Sequence, residues 1–247
     1  MSAKEAIIVG QYQRTETFRG GVWAAESHVE NFCASTGIMR GDNIIIKRRF
    51  IEEQYVKKLF EVHETKNDPI GYKQMPLEYW DLVVVTDFGH GTVTPVLIKE
   101  LTEKAKYLAV NAQTNSANRG FNLITKYPRA DYVVIDEPEA RLAVQDRYSP
   151  IEKVITKLGF PKMIVTQGAY GAVGFDGDFS YSEANTNKVV DTMGAGDAFL
   201  CVTAPLAAAG ADMQTLLKVG NAAGAIKCGV VGQIPVTKQA LVSYLND

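Results

Sequence analysis

The chain has 247 residues, 46% of them hydrophobic and 22% charged, with a formal charge of −2. That length buries one substantial core, and the balanced charge excludes a general binder of nucleic-acid backbones, which needs a concentrated basic face. Three widely spaced cysteines, Cys33, Cys201 and Cys228, form no metal-type pair and suit a reducing, cytoplasmic setting; no apolar run reaches the ~18 residues that span a bilayer, and "MSAKEAIIVG" lacks the parts of a secretion signal.

In chain order, the first distinctive segment is "NIIIKRRFIEEQYVKKLFEVHE", residues 43–64, two extended β-branched runs joined near residues 52–55. It reads as a hairpin outside the main sheet. Lys47, Arg48 and Arg49 protect such an edge from pairing with other chains, or else Arg49 closes over a phosphate, which guanidinium holds bidentately.

Four short apolar runs follow: "DLVVVTD" from Asp81, "KYLAVN" from Lys106, "DYVVID" from Asp131 and "KMIVTQG" from Lys162. They are apolar throughout, as expected of parallel strands covered on both faces. Residues 95–106, 138–145 and 151–158 have the spacing of crossover helices, with Pro95 and Pro138 suited to first turns. The fold class is therefore α/β, with a mostly parallel central sheet flanked by helices and a small hairpin beside it.

Polar residues gather where these strands stop, at "TDFGHG" and "DEPE", and open α/β sheets bind ligands at that end. Asp87 and Asn111 hydrogen-bond a ligand there or simply finish turns. His28, His63 and His90 match no metal-ligand spacing, and only His90 falls near such a strand end. Further on, Asp176-Gly177 between two strand-like runs is a two-residue turn.

The segment "VVDTMGAGDAFLCVTAPLAAAG" spans residues 189–210. It predicts a short strand ending near Val190, then a turn into a helix from about Ala195 to Ala209 that stops at Gly210 and kinks near Cys201 at Pro205. Gly194 and Gly196 lack Cβ atoms, so an anion can approach the unpaired amides at the helix start. Asp197 beside that anion acts as a general base toward an attacking hydroxyl, or merely caps its helix.

"DTMGAGDAF" resembles the signature D-T-x-G-A-G-D-x-F of the ribokinase-like, pfkB-type carbohydrate kinases, and the resemblance covers most of the chain from about Gly20. It implies an ATP-dependent kinase on a ribokinase-like fold, with residues 43–64 as a lid. Asp197 is then the base, and the turn of Gly194, Ala195, Gly196 and Asp197 is the anion hole, with the amides of Ala195, Gly196 and Asp197 as its donors. "RGGVWAAESHVENF" resembles the family's substrate-side Gly-Gly segment, assigning Gly20 and Gly21, although Glu26 stands where an asparagine is common. "TDFGHG" resembles the Asp-Tyr-x-Lys-Gly element of members acting on phosphorylated sugars, with Phe88 and His90 as departures.

By the same resemblance, Arg49, Asp87, His90 and Asn111 face the sugar or sugar phosphate. "DEPE" stands at the Asn-x-x-Glu position, so Glu139 organises Mg2+ through water, with Asp136 in place of asparagine on the nucleotide side. "TQGAYG" is similar to the nucleotide-lining turn, assigning Thr166, Gly168 and Gly171, and "NAAGA" to a late helix near adenine, assigning Asn221. The branch most similar is the heptose-7-phosphate kinase type, including kinase domains found with nucleotidyltransferases. A nucleotidyltransferase partner and a homodimer through the hairpin are the implied protein partners. Only 19 residues precede Gly20, so one shortened kinase domain over residues 1–247 is expected. The alternative is a catalytically degenerate nucleotide-binding or regulatory module of the same fold.

Overall fold

A computed structural model of the chain describes residues 10–41, 45–52, 54, 57–64, 76–115, 118–184, 186 and 189–246. The expected strands and crossover helices form, because their side chains alternate between two apolar layers. Strands β3 (Val83–Asp87), β4 (Leu108–Ala112), β5 (Tyr132–Asp136) and β6 (Met163–Thr166) run parallel, in that spatial order. Strands β7 (Ala172–Phe175) and β8 (Phe179–Ser182) extend the sheet antiparallel, turned by the expected Asp176-Gly177 corner.

Period-two alternation assigns the faces. Val133 and Ile135 of β5 join one cluster with Leu97, Ile98 and Leu101 of α2 (Pro95–Lys104), Ala140 of α3 (Glu137–Val144) and Val154 and Ile155 of α4 (Ile151–Leu158). Tyr132 and Val134 point the other way. They meet Phe199, Leu200 and Ala204 of α5 (Ala195–Ala208) and Leu216 and Leu217 of α6 (Met213–Cys228). The result is a three-layer α/β/α arrangement. Two further helices, α1 (Val22–Val29) and α7 (Lys238–Asn246), pack beside α5 and α6 respectively.

One expectation is corrected. No strand leads into the glycine-rich turn among its described residues; instead, the amides of Val190 and Asp191 both donate to the Cys228 carbonyl at the end of α6. Helix α5 runs through Pro205 to Ala208, and the proline, having no N–H, leaves the Cys201 carbonyl without its helical donor.

The hairpin pairs β1 (Ile46–Glu52) with β2 (Lys57–Glu64) antiparallel, apart from the main sheet; residues 43, 44, 53, 55 and 56 of its expected span lie outside the described residues. Opposed residues share a face in such a ladder. One face therefore carries Lys47 with His63 and Arg49 with Glu61, and the other carries Arg48 with Val62 and Phe50 with Phe60. Among the described residues, no helix is long and apolar enough to cross a membrane.

Candidate active site

All four parallel strands end on the same edge of the sheet, and their terminal residues begin the site. Asp136 and Thr166 are paired in register at the ends of β5 and β6, and Asp87 opposes Ala112 at the ends of β3 and β4. Gln113, directly after β4, donates through Nε2 to Asp197 Oδ1 at 2.5 Å, which ties the start of α5 to this edge.

The start of α5 is built from the glycine-rich turn. Gly194 adopts φ of +77° as the residue before the helix, and a Cβ there would meet Lys227 Cε and Gln233 Oε1 at 3.3 Å. The left-handed backbone favours glycine, and a Cβ would press on the side chains behind it. Ala198 already donates to the Gly194 carbonyl, and Ala195 makes a long 3.4 Å bond to the Thr192 carbonyl. The amides of Gly196 and Asp197 have no acceptor among the described residues, so they are the donors left for an anion at the positive end of the helix.

Burial pushes the Asp197 carboxyl up to about 6, opposed by the Gln113 hydrogen bond and by the charges of Lys47 and Lys227. A carboxylate with that affinity can hold a proton briefly and release it near neutrality. Lys47 belongs to β1, so the charged face of the hairpin is the one turned toward the site. Lys47 and His63 are its half-buried members, and both also act on His90. Burial lowers His90 to about 4, leaving a neutral imidazole whose buried Nε2 has no hydrogen-bond partner among the described residues. Lys47 therefore emerges as the hairpin residue acting on Asp197, whereas Arg49 pairs with Glu61 across the ladder at 2.5 Å. Nothing in the run "IKRRF" distinguishes the two, which share one face of the ladder; the ion pair of Arg49 with Glu61 separates them.

Asp136 and Glu139 form a reciprocal cap on α3. The Asp136 side chain accepts from the Glu139 amide at 2.7 Å, and Glu139 accepts in return from the Asp136 amide at 3.0 Å. The second Glu139 oxygen accepts from the Thr114 amide at 2.8 Å. Burial, followed by repulsion from Asp136, raises Glu139 to about 7 despite those bonds, and Asp197 adds a weaker repulsion. This set of mutually repelling carboxylates is relieved by a cation, and each Glu139 oxygen keeps a lone pair for a bound water. The donor set thus fits Mg2+ beside phosphates, although no group of three ligating side chains forms a metal cage among the described residues.

Gly168 lies in an open turn after β6, but Gly171 is glycine for a packing reason. With φ of +94°, its Cβ would come within 2.0 Å of the Ser182 carbonyl oxygen on β8. Asn221 on α6 clamps the same segment, donating to the carbonyls of Ser182 and Glu183 at 3.2 and 3.1 Å. These residues shape the rim after β8.

On the β3 side, Asp87 is buried and fully engaged. It accepts from Tyr127 Oη at 2.7 Å and from the Gly89 amide at 3.0 Å, and pairs with Lys126 at 2.5 Å. Sequence reading missed this clamp, whose partners lie 39 and 40 positions away. Asn111 is buried within β4 and donates to the Val134 carbonyl at 2.7 Å, leaving its Oδ1 unpartnered among the described residues. Gly21, which precedes α1 at φ of +58°, faces the Phe88 ring, with 3.7 Å between an added Cβ and Cε2; Gly20 meets nothing within 4 Å. The segments around residues 21 and 88, both expected to face the acceptor, therefore lie against each other. A surface hollow lined by Thr125, Arg129, Leu158 and Pro161 lies at the opposite end of the sheet.

Comparison with known proteins places this geometry. The pfkB family carbohydrate kinase model matches residues 62–240. The bifunctional protein HldE of Campylobacter jejuni subsp. doylei is 26% identical over 227 residues, covering 87% of this chain and 49% of that protein. HldE of Rhodopseudomonas palustris strain BisB5 is 31% identical over 173 residues, covering 67% of this chain and 35% of that protein. The chain thus spans about half or less of the length of these relatives. Among solved structures, Thermotoga maritima ribokinase aligns with a TM-score of 0.62 at 17% identity, covering 81% of this chain and 70% of that one. Arabidopsis thaliana ribokinase, solved with ribose and ATP, aligns with a TM-score of 0.57 at 17% identity, covering 69% of this chain and 57% of that one. At such identity the likeness concerns the fold.

Proposed function

The chain belongs to the pfkB family of carbohydrate kinases, and from that premise we propose that it transfers the γ-phosphoryl group of ATP to a hydroxyl of a sugar phosphate of the heptose-phosphate kind. The observation carrying this reading is Asp197, raised to about 6, beside two free amides at the start of α5.

In the proposed step, Asp197 takes the proton of the acceptor hydroxyl while that oxygen bonds to the γ-phosphorus. The bond from γ-phosphorus to the bridging oxygen breaks, ADP leaves, and Asp197 returns its proton to solvent. The amides of Gly196 and Asp197 receive the charge on the transferring group, and Ala195 and Gly194 hold the turn open. Gln113 orients the base from β4. Glu139, with Asp136 beside it, would help hold Mg2+ through water, and the ion when bound would neutralise phosphate charge. Thr166, Gly168, Gly171 and Asn221 line the nucleotide side; Gly20, Gly21, His90 and Asn111 face the acceptor, with Arg49 closing from the hairpin and Asp87 holding the β3 loop.

The chain acts as a cytoplasmic kinase unit. The exposed hairpin face, with Phe50, Phe60 and Val62 at 44%, 54% and 42% exposure, is the surface for a second copy, and a nucleotidyltransferase is the second partner. The test is Mg2+-dependent ADP release from ATP over a panel of sugar phosphates, heptose 7-phosphate and fructose phosphates included, with Asp197→Asn in parallel. Acceptor-dependent release lost in the variant supports the kinase. Tight ATP binding without release on any acceptor would identify a regulatory module instead.

A further inference from the structure

Lys227 lies in the last turn of α6, at a position where the sequence "AIKCG" offers nothing but a helix end. The residue is completely buried, and its ammonium has no hydrogen-bond partner among the described residues. A lone buried ammonium is costly, since desolvation takes away water that nothing replaces. What surrounds it is charge of the opposite sign. Burial pulls its pKa down, while Asp191, then Cys228 and Asp197, act in the opposite direction.

Its position is tied to the glycine-rich turn at three points. An added Cβ at Gly194 would lie 3.3 Å from Lys227 Cε, so the lysine stem runs immediately behind the turn. The carbonyl of the next residue, Cys228, accepts from the amides of Val190 and Asp191 at 2.8 and 3.1 Å, which stitches this end of α6 to the entry of the turn. Asp191 is itself buried, and its Oδ1 accepts from the Met193 amide at 3.0 Å. The last turn of a helix is also where its dipole favours a cation.

We propose that Lys227 is a positioning residue for phosphoryl transfer: its buried ammonium, set directly behind the Gly194 turn and beside Asp191, fixes that turn and supplies positive potential to the free amides of Gly196 and Asp197. This assignment rests on the reading of α5 as the phosphoryl-transfer site. The lysine touches neither the acceptor nor the reacting phosphorus. It acts through the turn, as a buried ammonium on the protein side of the anion hole, where low dielectric makes a charge effective.

Lys227→Met separates charge from packing, because methionine keeps the stem volume and removes the ammonium. Asp191, buried beside it, loses its countercharge in that variant, so stability falls, as it does when one partner of a buried charge pair is removed. The expected result is a lowered Tm in a protein that still folds, together with a fall in kcat of about 10- to 100-fold, at a KM for the acceptor that hardly moves. Lys227→Ala, assayed with added ethylammonium, regains turnover in proportion to the amine, a recovery that packing alone does not produce. Binding of inorganic tripolyphosphate, measured by calorimetry, weakens about tenfold in Lys227→Met. That readout needs no turnover, so it still tests the lysine if the wild-type protein phosphorylates nothing. Wild-type kcat and wild-type tripolyphosphate affinity in Lys227→Met would overturn the proposal. So would failure of Lys227→Met and Lys227→Gln alike to fold, which would make the lysine a folding element.

Discussion

Replacing Asp197 by Asn stabilises the protein near pH 8 while stopping turnover. The carboxyl is raised from 3.8 to about 6, chiefly by burial, so its charged form is held uphill in the folded state. Roughly two pKa units correspond to about 3 kcal/mol as an upper bound, and partial solvent contact of the side chain reduces the expectation to about 1–2 kcal/mol. For a chain of this length that is a rise in Tm of about 2–8 °C. The sign follows from the direction of the shift. Well below 3.8 the group is protonated folded and unfolded; the cost grows as pH passes from 3.8 to 6 and is complete above. Calorimetric scans of both proteins at pH 4 and pH 8 measure the difference. A gain confined to the higher pH supports the account. A Tm at pH 8 equal to or below wild type, or the same offset at both pH values, would refute the placement of a strained carboxylate there.

Wild-type turnover climbs with pH along a limb centred near 6 as Asp197 loses its proton, and a flat profile between pH 5 and 8 would remove it as the base. Glu139→Gln raises the Mg2+ concentration for half-maximal rate about tenfold, read from metal titrations at fixed ATP; an unchanged requirement would leave Glu139 only its role in capping α3. Tyr127→Phe removes a donor to buried Asp87 and lowers stability by about 1–3 kcal/mol in urea unfolding, with an unchanged midpoint contradicting the clamp. Substituting Lys for both Phe60 and Val62 makes the protein monomeric at all concentrations by sedimentation, if the hairpin is the dimer surface; dimers that persist would locate the interface elsewhere.

The parallel strands were legible because each must be apolar on both faces, and β5 carries that requirement in four consecutive buried residues, Tyr132 to Ile135. The start of α5 was legible because two glycines at a helix entry have few other uses. What lay beyond reading were meetings across the chain. Gln113 reaches Asp197 over 84 positions, and the Val236 amide reaches the ring of buried His28 over 208. No local pattern encodes such pairs. The hairpin shows a subtler loss: its basic run was visible, but only the ladder register separates Lys47, facing the site, from Arg48, facing solvent. Gly171 was legible as a turn glycine, yet the reason for it is the Ser182 carbonyl two strands along in sequence.

The central claim is that Asp197 and the turn before it move a phosphoryl group to a sugar hydroxyl. The most direct measurement is 31P NMR of MgATP with heptose 7-phosphate, incubated with the wild-type protein and with Asp197→Asn. The account predicts a second phosphomonoester resonance on the sugar, growing with ADP in the wild-type sample and absent from the variant. A new resonance forming equally in both, or ADP and inorganic phosphate appearing without any sugar product, would contradict it.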